Sequence, residues 1–102
     1  MIVNKMRPIH PGEILREEYV LPLGLSANRL AIELRVPVTR ISKILNEERA
    51  VSPDTALRLA RYFGGDAQTW LNLQTAYDLK KAIAESGADI ESSIRPMPTV
   101  AA

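Results

Sequence analysis

The 102-residue chain has no cysteine. That excludes a disulfide scaffold, a zinc–thiolate site and thiol catalysis. No apolar run approaches the roughly 20 residues needed to cross a bilayer. Residues Met1 to Met6 lack the apolar stretch of a secretory signal, so the expected location is cytoplasmic. There is no sustained apolar–polar alternation and no Asn-Gly or Asp-Gly turn, so nothing points to strands. Catalytic groups are scarce as well. His10 is the single histidine, and with Glu13 as its one neighbour it lacks the partners of a metal or acid–base site. It is assigned to packing near the N-terminus. Glu17 and Glu18 are adjacent, and on a helix their side chains diverge. Gly64-Gly65 closes a helix and does not open one, so there is no phosphate-cradling loop. An enzyme has no candidate residues here, and no cofactor or metal is expected.

What remains is the composition of one small globular domain, 46% hydrophobic and 25% charged. The net charge is only +1, but it is unevenly spread. Between Ser26 and Phe63 stand Arg29, Arg35, Arg40, Lys43, Arg49, Arg58 and Arg61 against Glu33, Glu47, Glu48 and Asp54, a net +3, so the rest of the chain carries −2. A local positive region on a near-neutral chain fits contact with phosphates at one place, and equally a mixed-charge solvated surface.

Caps and breakers mark five helices. Pro11 suits a first turn, where its missing N–H has no partner in any case, and Leu21-Pro-Leu-Gly24 ends that helix. Ser26 caps a second helix from Ala27 to Leu34. Pro37 starts a third that runs to about Asn46. Ser52-Pro53 opens a fourth to Phe63, closed by Gly64-Gly65. Asp66 caps a fifth from Ala67 to about Glu85. The predicted architecture is an all-α, five-helix domain over residues 1–85. Residues 86–102, with one glycine, two prolines and isolated apolar side chains, read as an irregular or disordered tail.

The informative stretch is Ala27 to Asn46. Leu30, Ala31 and Leu34 form one apolar stripe, and Ile41, Ile44 and Leu45 form another. A link of about three residues forces the two short helices to cross steeply. Ala31 is small where they approach, and Val36 plugs the elbow. This is the spacing of a helix-turn-helix, whose second helix enters the major groove with its N-terminal residues at the base edges. The exposed side of that helix carries Val38, Thr39, Arg40, Ser42 and Lys43. Arg40 and Lys43 can donate to guanine or phosphate, Thr39 can offer a hydroxyl or methyl, and Val38 can touch a thymine methyl. Ser26 and Asn28 sit at a helix N-terminus that suits a phosphate, and Asn46 is placed for a backbone contact. The same side chains would also serve as an ordinary solvated face.

Leu25-Ser-Ala-Asn-Arg-Leu-Ala31, Val36-Pro-Val-Thr-Arg-Ile-Ser-Lys-Ile-Leu-Asn46 and Thr55-Ala-Leu-Arg-Leu-Ala-Arg-Tyr-Phe-Gly64 together resemble the Xre/Cro family of phage-repressor-like domains. His10-Pro-Gly-Glu13 and Trp70-Leu-Asn-Leu-Gln74 resemble its HigA-type, VapI-like antitoxin branch. The match covers about residues 7 to 80. One departure stands out: Arg35 occupies a turn position that is usually glycine, because the backbone there favours φ > 0. The resemblance implies a homodimer that binds a palindromic operator over its own promoter and neutralises HigB, a RelE-like toxin that cleaves mRNA. A stand-alone Xre-family regulator with no toxin partner, or a protein-binding adaptor, would read alike.

Two reading helices must sit about 34 Å apart to reach successive major-groove faces. With a core available from the first four helices, the fifth is the expected dimer surface, through Trp70, Leu71 and Tyr77. Leu73 on the same helix is expected in the core.

Overall fold

A computed structural model describes residues 7–98. The reading of Met1–Met6 therefore lies outside the described residues, as does the end of the tail from residue 99. The fold is all-α. Helix α1 (Pro11–Ile14) runs on without a break through a π-helical segment, Leu15–Val20. Then come α2 (Ala27–Leu34), α3 (Val38–Leu45), α4 (Pro53–Phe63) and α5 (Ala67–Ala82). The last continues through a π-helical Ile83–Gly87 into α6 (Ala88–Ser93), with helical dihedrals at both joins.

The start signals act as the sequence predicts. Ser26 Oγ accepts from the Arg29 N–H, Ser52 Oγ from Thr55 and Asp66 Oδ1 from Thr69, each satisfying an N–H that the helix leaves without a partner. His10 is a fourth cap. Its Nδ1 accepts from the Gly12 N–H at 2.8 Å, and the ring is 3% exposed. An imidazole that accepts must be neutral, and burial lowers its pKa below the ordinary value.

Leu15, Val20, Leu30, Ala31, Leu34, Ile41, Ile44, Leu45, Val51, Ala56, Leu59 and Trp70 form the core. The predicted stripes of α2 and α3 lie wholly inside it, and Val36 and Leu73 pack against it. Gly12 is where α1 meets α3: a Cβ there would stand 1.8 Å from the carbonyl oxygen of Ile44. Only glycine permits that approach. Gln74, which is buried, accepts from the Val51 N–H through Oε1 and donates to Asp78 through Nε2. It thereby ties the segment after α3 to α5 and gives one residue of the Trp70–Gln74 motif a physical task.

Two expectations are corrected. The chain is not irregular from Ser86, because the helix runs on to Ser93. Ala82, Ala84 and Ala88 are strong helix formers, and they outweigh the single Gly87, whose cost is about 1 kcal/mol. Ile94 then turns extended, two residues ahead of Pro96, which could not have continued the helix. The second correction concerns the fifth helix. Trp70 is 5% exposed and packs against Tyr19, ring centroids 5.6 Å apart. Tyr77 is half-buried against His10 with centroids 4.8 Å apart, and half-buried Leu71 packs on the core. All three side chains make contacts within the chain: Trp70 and Tyr77 meet Tyr19 and His10 from the N-terminal helix and its cap, and Leu71 meets the core. Trp70 is a core residue.

Beyond Ala82 the long helix leaves the body. The described residues extend 54 × 22 × 21 Å with a radius of gyration of 17.3 Å, against about 13 Å for a compact domain of this length. No residue between Ile83 and Ser93 is buried.

Candidate nucleic-acid interface

Both helices of the α2–turn–α3 unit end on the same device. α2 ends at Arg35 in the left-handed region, φ 58° and ψ 49°. The Arg35 N–H bonds to the Ile32 carbonyl and the Val36 N–H to that of Ala31, a helix-stop usually built on glycine. The departure at Arg35 thus keeps the family's turn geometry at a cost of about 1 kcal/mol. α3 ends likewise at Glu47, φ 63°, with the Glu48 N–H bonded to the Lys43 carbonyl at 2.8 Å. An arginine from elsewhere in the chain braces each stop. Arg58 Nη1 donates to the carbonyls of Leu34, 2.8 Å, and Arg35, 3.4 Å. Arg16 donates to the Leu45 carbonyl and pairs with Glu47. Both satisfy carbonyls that a helix end leaves open, and both fix the reading unit to the rest of the domain.

With Ile41, Ile44 and Leu45 buried, the opposite side of α3 faces out. Val38 is 41% exposed. Thr39, Lys43 and Asn46 are exposed, and Ser42 and Arg40 are half-exposed. Ser26 and Asn28, at the start of α2, are exposed too. Six of these eight residues are therefore open to a partner. Ser26 already spends its hydroxyl oxygen on the Arg29 N–H, and Arg29 pairs with Glu33 one turn on.

Arg40 is not the free cation that the sequence suggested. Its Nη1 meets Asp54 Oδ2 at 2.7 Å, and Arg58 Nε meets the same oxygen at 2.9 Å. The Arg58 and Arg40 guanidinium groups hold the Asp54 carboxyl below its ordinary pKa, so it is ionised at neutral pH. The Asp54–Arg58 spacing of i,i+4 was visible on α4. The link from Asp54 to Arg40, 14 positions away, appears only once α4 lies beside α3. The arginines at 16 and 58 also gave no signal, since their targets are backbone carbonyls made available by tertiary packing.

Among the described residues, no group of three or more His, Cys, Asp or Glu could hold a metal ion. No helix there is long and apolar enough to cross a membrane.

The helix-turn-helix family model matches residues 15–70. Virulence-associated protein I of Dichelobacter nodosus is 66% identical over 79 residues, covering 78% of this chain and 73% of that protein. An addiction module antidote protein of a HigA family from Coxiella burnetii has 52% identity and a TM-score of 0.85, covering 90% of this chain and 100% of that one. The antitoxin GraA in complex with its operator has 46% identity and a TM-score of 0.90, covering 99% of this chain and 100% of that one. The chain belongs to the helix-turn-helix family, within the HigA-type, VapI-like branch that these relatives represent.

Proposed function

We propose that this chain is a sequence-specific, DNA-binding transcriptional repressor and not an enzyme, acting as a cytoplasmic homodimer and as the antitoxin of a toxin–antitoxin pair. The observation that carries the DNA reading is the two-sided character of α3. One side is sunk in the core, and the other presents Val38, Thr39, Ser42 and Lys43 from a unit braced by Arg16 and Arg58. Similarity to an antitoxin seen with its operator supports DNA as the partner. In this reading Thr39, Arg40 and Lys43 meet base edges, Val38 contacts a thymine methyl, and Ser26, Asn28 and Asn46 meet backbone phosphates.

Pairing is assigned to the far part of the long helix. Leu79, Ile83, Gly87 and Ile90 follow one another at steps of four, four and three, so they share one helix face. Leu79 is 59% exposed and Ile90 53%. Two copies packed stripe to stripe would cover these side chains, and Gly87 allows close approach of the backbones. The partner DNA is then a palindrome that mirrors the two-fold symmetry. The antitoxin role, with autoregulation of its own operon and neutralisation of a RelE-like, HigB-like toxin, rests on membership of the HigA-type branch. A neighbouring reading frame for a basic protein of roughly 90–110 residues that co-purifies with this chain supports that role. Without such a partner, the stand-alone regulator takes its place.

A Thr39→Ala, Lys43→Ala variant tests the DNA reading. Against a duplex that the wild-type chain enriches from a random-sequence pool, affinity should fall by about 2–4 kcal/mol at fixed salt. The thermal midpoint should not move. Equal binding by a folded variant would remove α3 from the interface.

A further inference from the structure

We propose that Asp54 is a specificity-determining residue of this face, restraining Arg40 from non-specific phosphates and releasing it to a base edge. The proposal rests on the DNA reading of α3. Its physical basis is the arrangement of the two guanidinium groups on one carboxylate oxygen. Arg58 is anchored independently, since its Nη1 also holds the Leu34 carbonyl at 2.8 Å. When Arg40 leaves, Asp54 keeps its 2.9 Å partner in Arg58, so no charge is stranded and the α2 stop stays braced. Asp54 is not needed to hold Arg40 for the sake of the fold: Arg40 lies on a half-exposed part of α3, outside the core.

The exchange differs with what the DNA offers. A backbone phosphate gives Arg40 an anionic oxygen in place of the anionic oxygen it already has, and brings a phosphate towards the Asp54 carboxylate. That swap is close to neutral, with a repulsion added. A guanine in the major groove offers O6 and N7 together, a two-point contact that matches the guanidinium fork. The present contact uses Nη1 alone. Arg40 therefore gains from leaving Asp54 at a matching base pair and gains little elsewhere. The carboxylate lowers non-specific affinity more than specific affinity, and their ratio rises.

Asp54→Asn keeps the size of the side chain and removes the charge. The test compares it with wild type on two probes at one salt concentration: a duplex enriched by the wild-type chain from a random pool, and a scrambled duplex of equal length and composition. Affinity for the scrambled duplex should rise about three- to tenfold, as expected for freeing a cation and deleting an anion near phosphates. Affinity for the enriched duplex should change less than about threefold, so the ratio falls. In an Arg40→Ala background the same change should leave the ratio unmoved, which separates this role from general charge. An unchanged ratio in the chain that keeps Arg40, or a ratio that falls as far in the Arg40→Ala background, overturns the proposal. NMR of the wild-type Arg40 guanidinium gives a second reading that needs no variant. The signal should keep its free-state position on the scrambled duplex and move on the enriched one; movement on both refutes the restraint. If the wild-type chain enriches no duplex at all, the DNA reading fails and this inference fails with it.

Discussion

In α2 and α3, six apolar side chains are buried and both helix ends are braced by arginines from α4 and the first helix. In the stretch from Ile83 to Ser93 nothing is buried, and Ile83 and Ile90 stand exposed. Both regions are helical and both carry large apolar side chains, yet only the first buries them against its neighbours. A reading element has to be rigid before it meets DNA, because side chains ordered in advance lose less on binding. The pairing proposed for the far helix needs an apolar face left free for a second copy. The contrast follows from where neighbouring helices run. α4 and the first helix enclose the reading unit, while the long helix outruns the other described helices.

The largest effect is expected from breaking the pairing half. Ile83→Glu with Ile90→Glu should leave a folded chain with an unchanged thermal midpoint at low concentration, since neither side chain touches the body. Its affinity for an enriched duplex should drop by about 10²–10⁴-fold, the gain that linking two weak binders supplies. Light scattering beside a binding titration reads both. A dimeric variant with normal affinity would move the interface elsewhere.

The reading half should respond in the opposite way, through the fold. Gly12→Ala sets a methyl against the Ile44 carbonyl, and overpacking of this kind costs about 3 kcal/mol. For a domain of this size that lowers the thermal midpoint by roughly 12–20 °C. A midpoint within a few degrees of wild type would mean that α1 and α3 can separate without loss.

A smaller effect sharpens the same joint. Burial lowers the His10 pKa from its ordinary 6.5, so the unfolded chain takes up this proton first. The contribution of neutral His10 is full above about pH 6.5 and is lost as pH falls through the lower, folded value. The urea midpoint should therefore decline from pH 7.5 to 5.5. In His10→Asn, where the amide oxygen can cap without titrating, the decline should vanish. A decline that persists in that variant assigns the pH dependence to another group.

Much of this was legible in the sequence. The stripes of α2 and α3 and the caps at Ser26, Ser52 and Asp66 follow from spacing and local chemistry, which act within a few residues, whereas at Arg35 the family resemblance left a left-handed residue or a reshaped turn open and the structure has the former. His10 was rightly assigned to packing, though its bond to Gly12 was not foreseen. What stayed hidden depends on which elements meet. Trp70 was an aromatic on an amphipathic helix, and the sequence does not say whether Tyr19 or a second copy covers it. Arg40 looked free because Asp54 lies 14 positions away. The helix past Ser86 stayed hidden because Gly87 and two prolines signal irregular chain, yet Pro96 and Pro98 both lie beyond Ser93 and the alanines around Gly87 favour a helix.

The spacing of the two half-sites tests the central claim, that rigid reading helices are tethered in pairs through the far end of the long helix. Inserting 5 bp at the centre of an enriched palindromic duplex turns the half-sites about half a helical turn apart, onto opposite faces. Wild-type affinity for the inserted duplex should fall to that of a duplex carrying one half-site, while a 10 bp insertion, which restores the facing, should lose less. Equal affinity for the original and the 5 bp duplex would contradict the account, because each copy would then be reading DNA on its own.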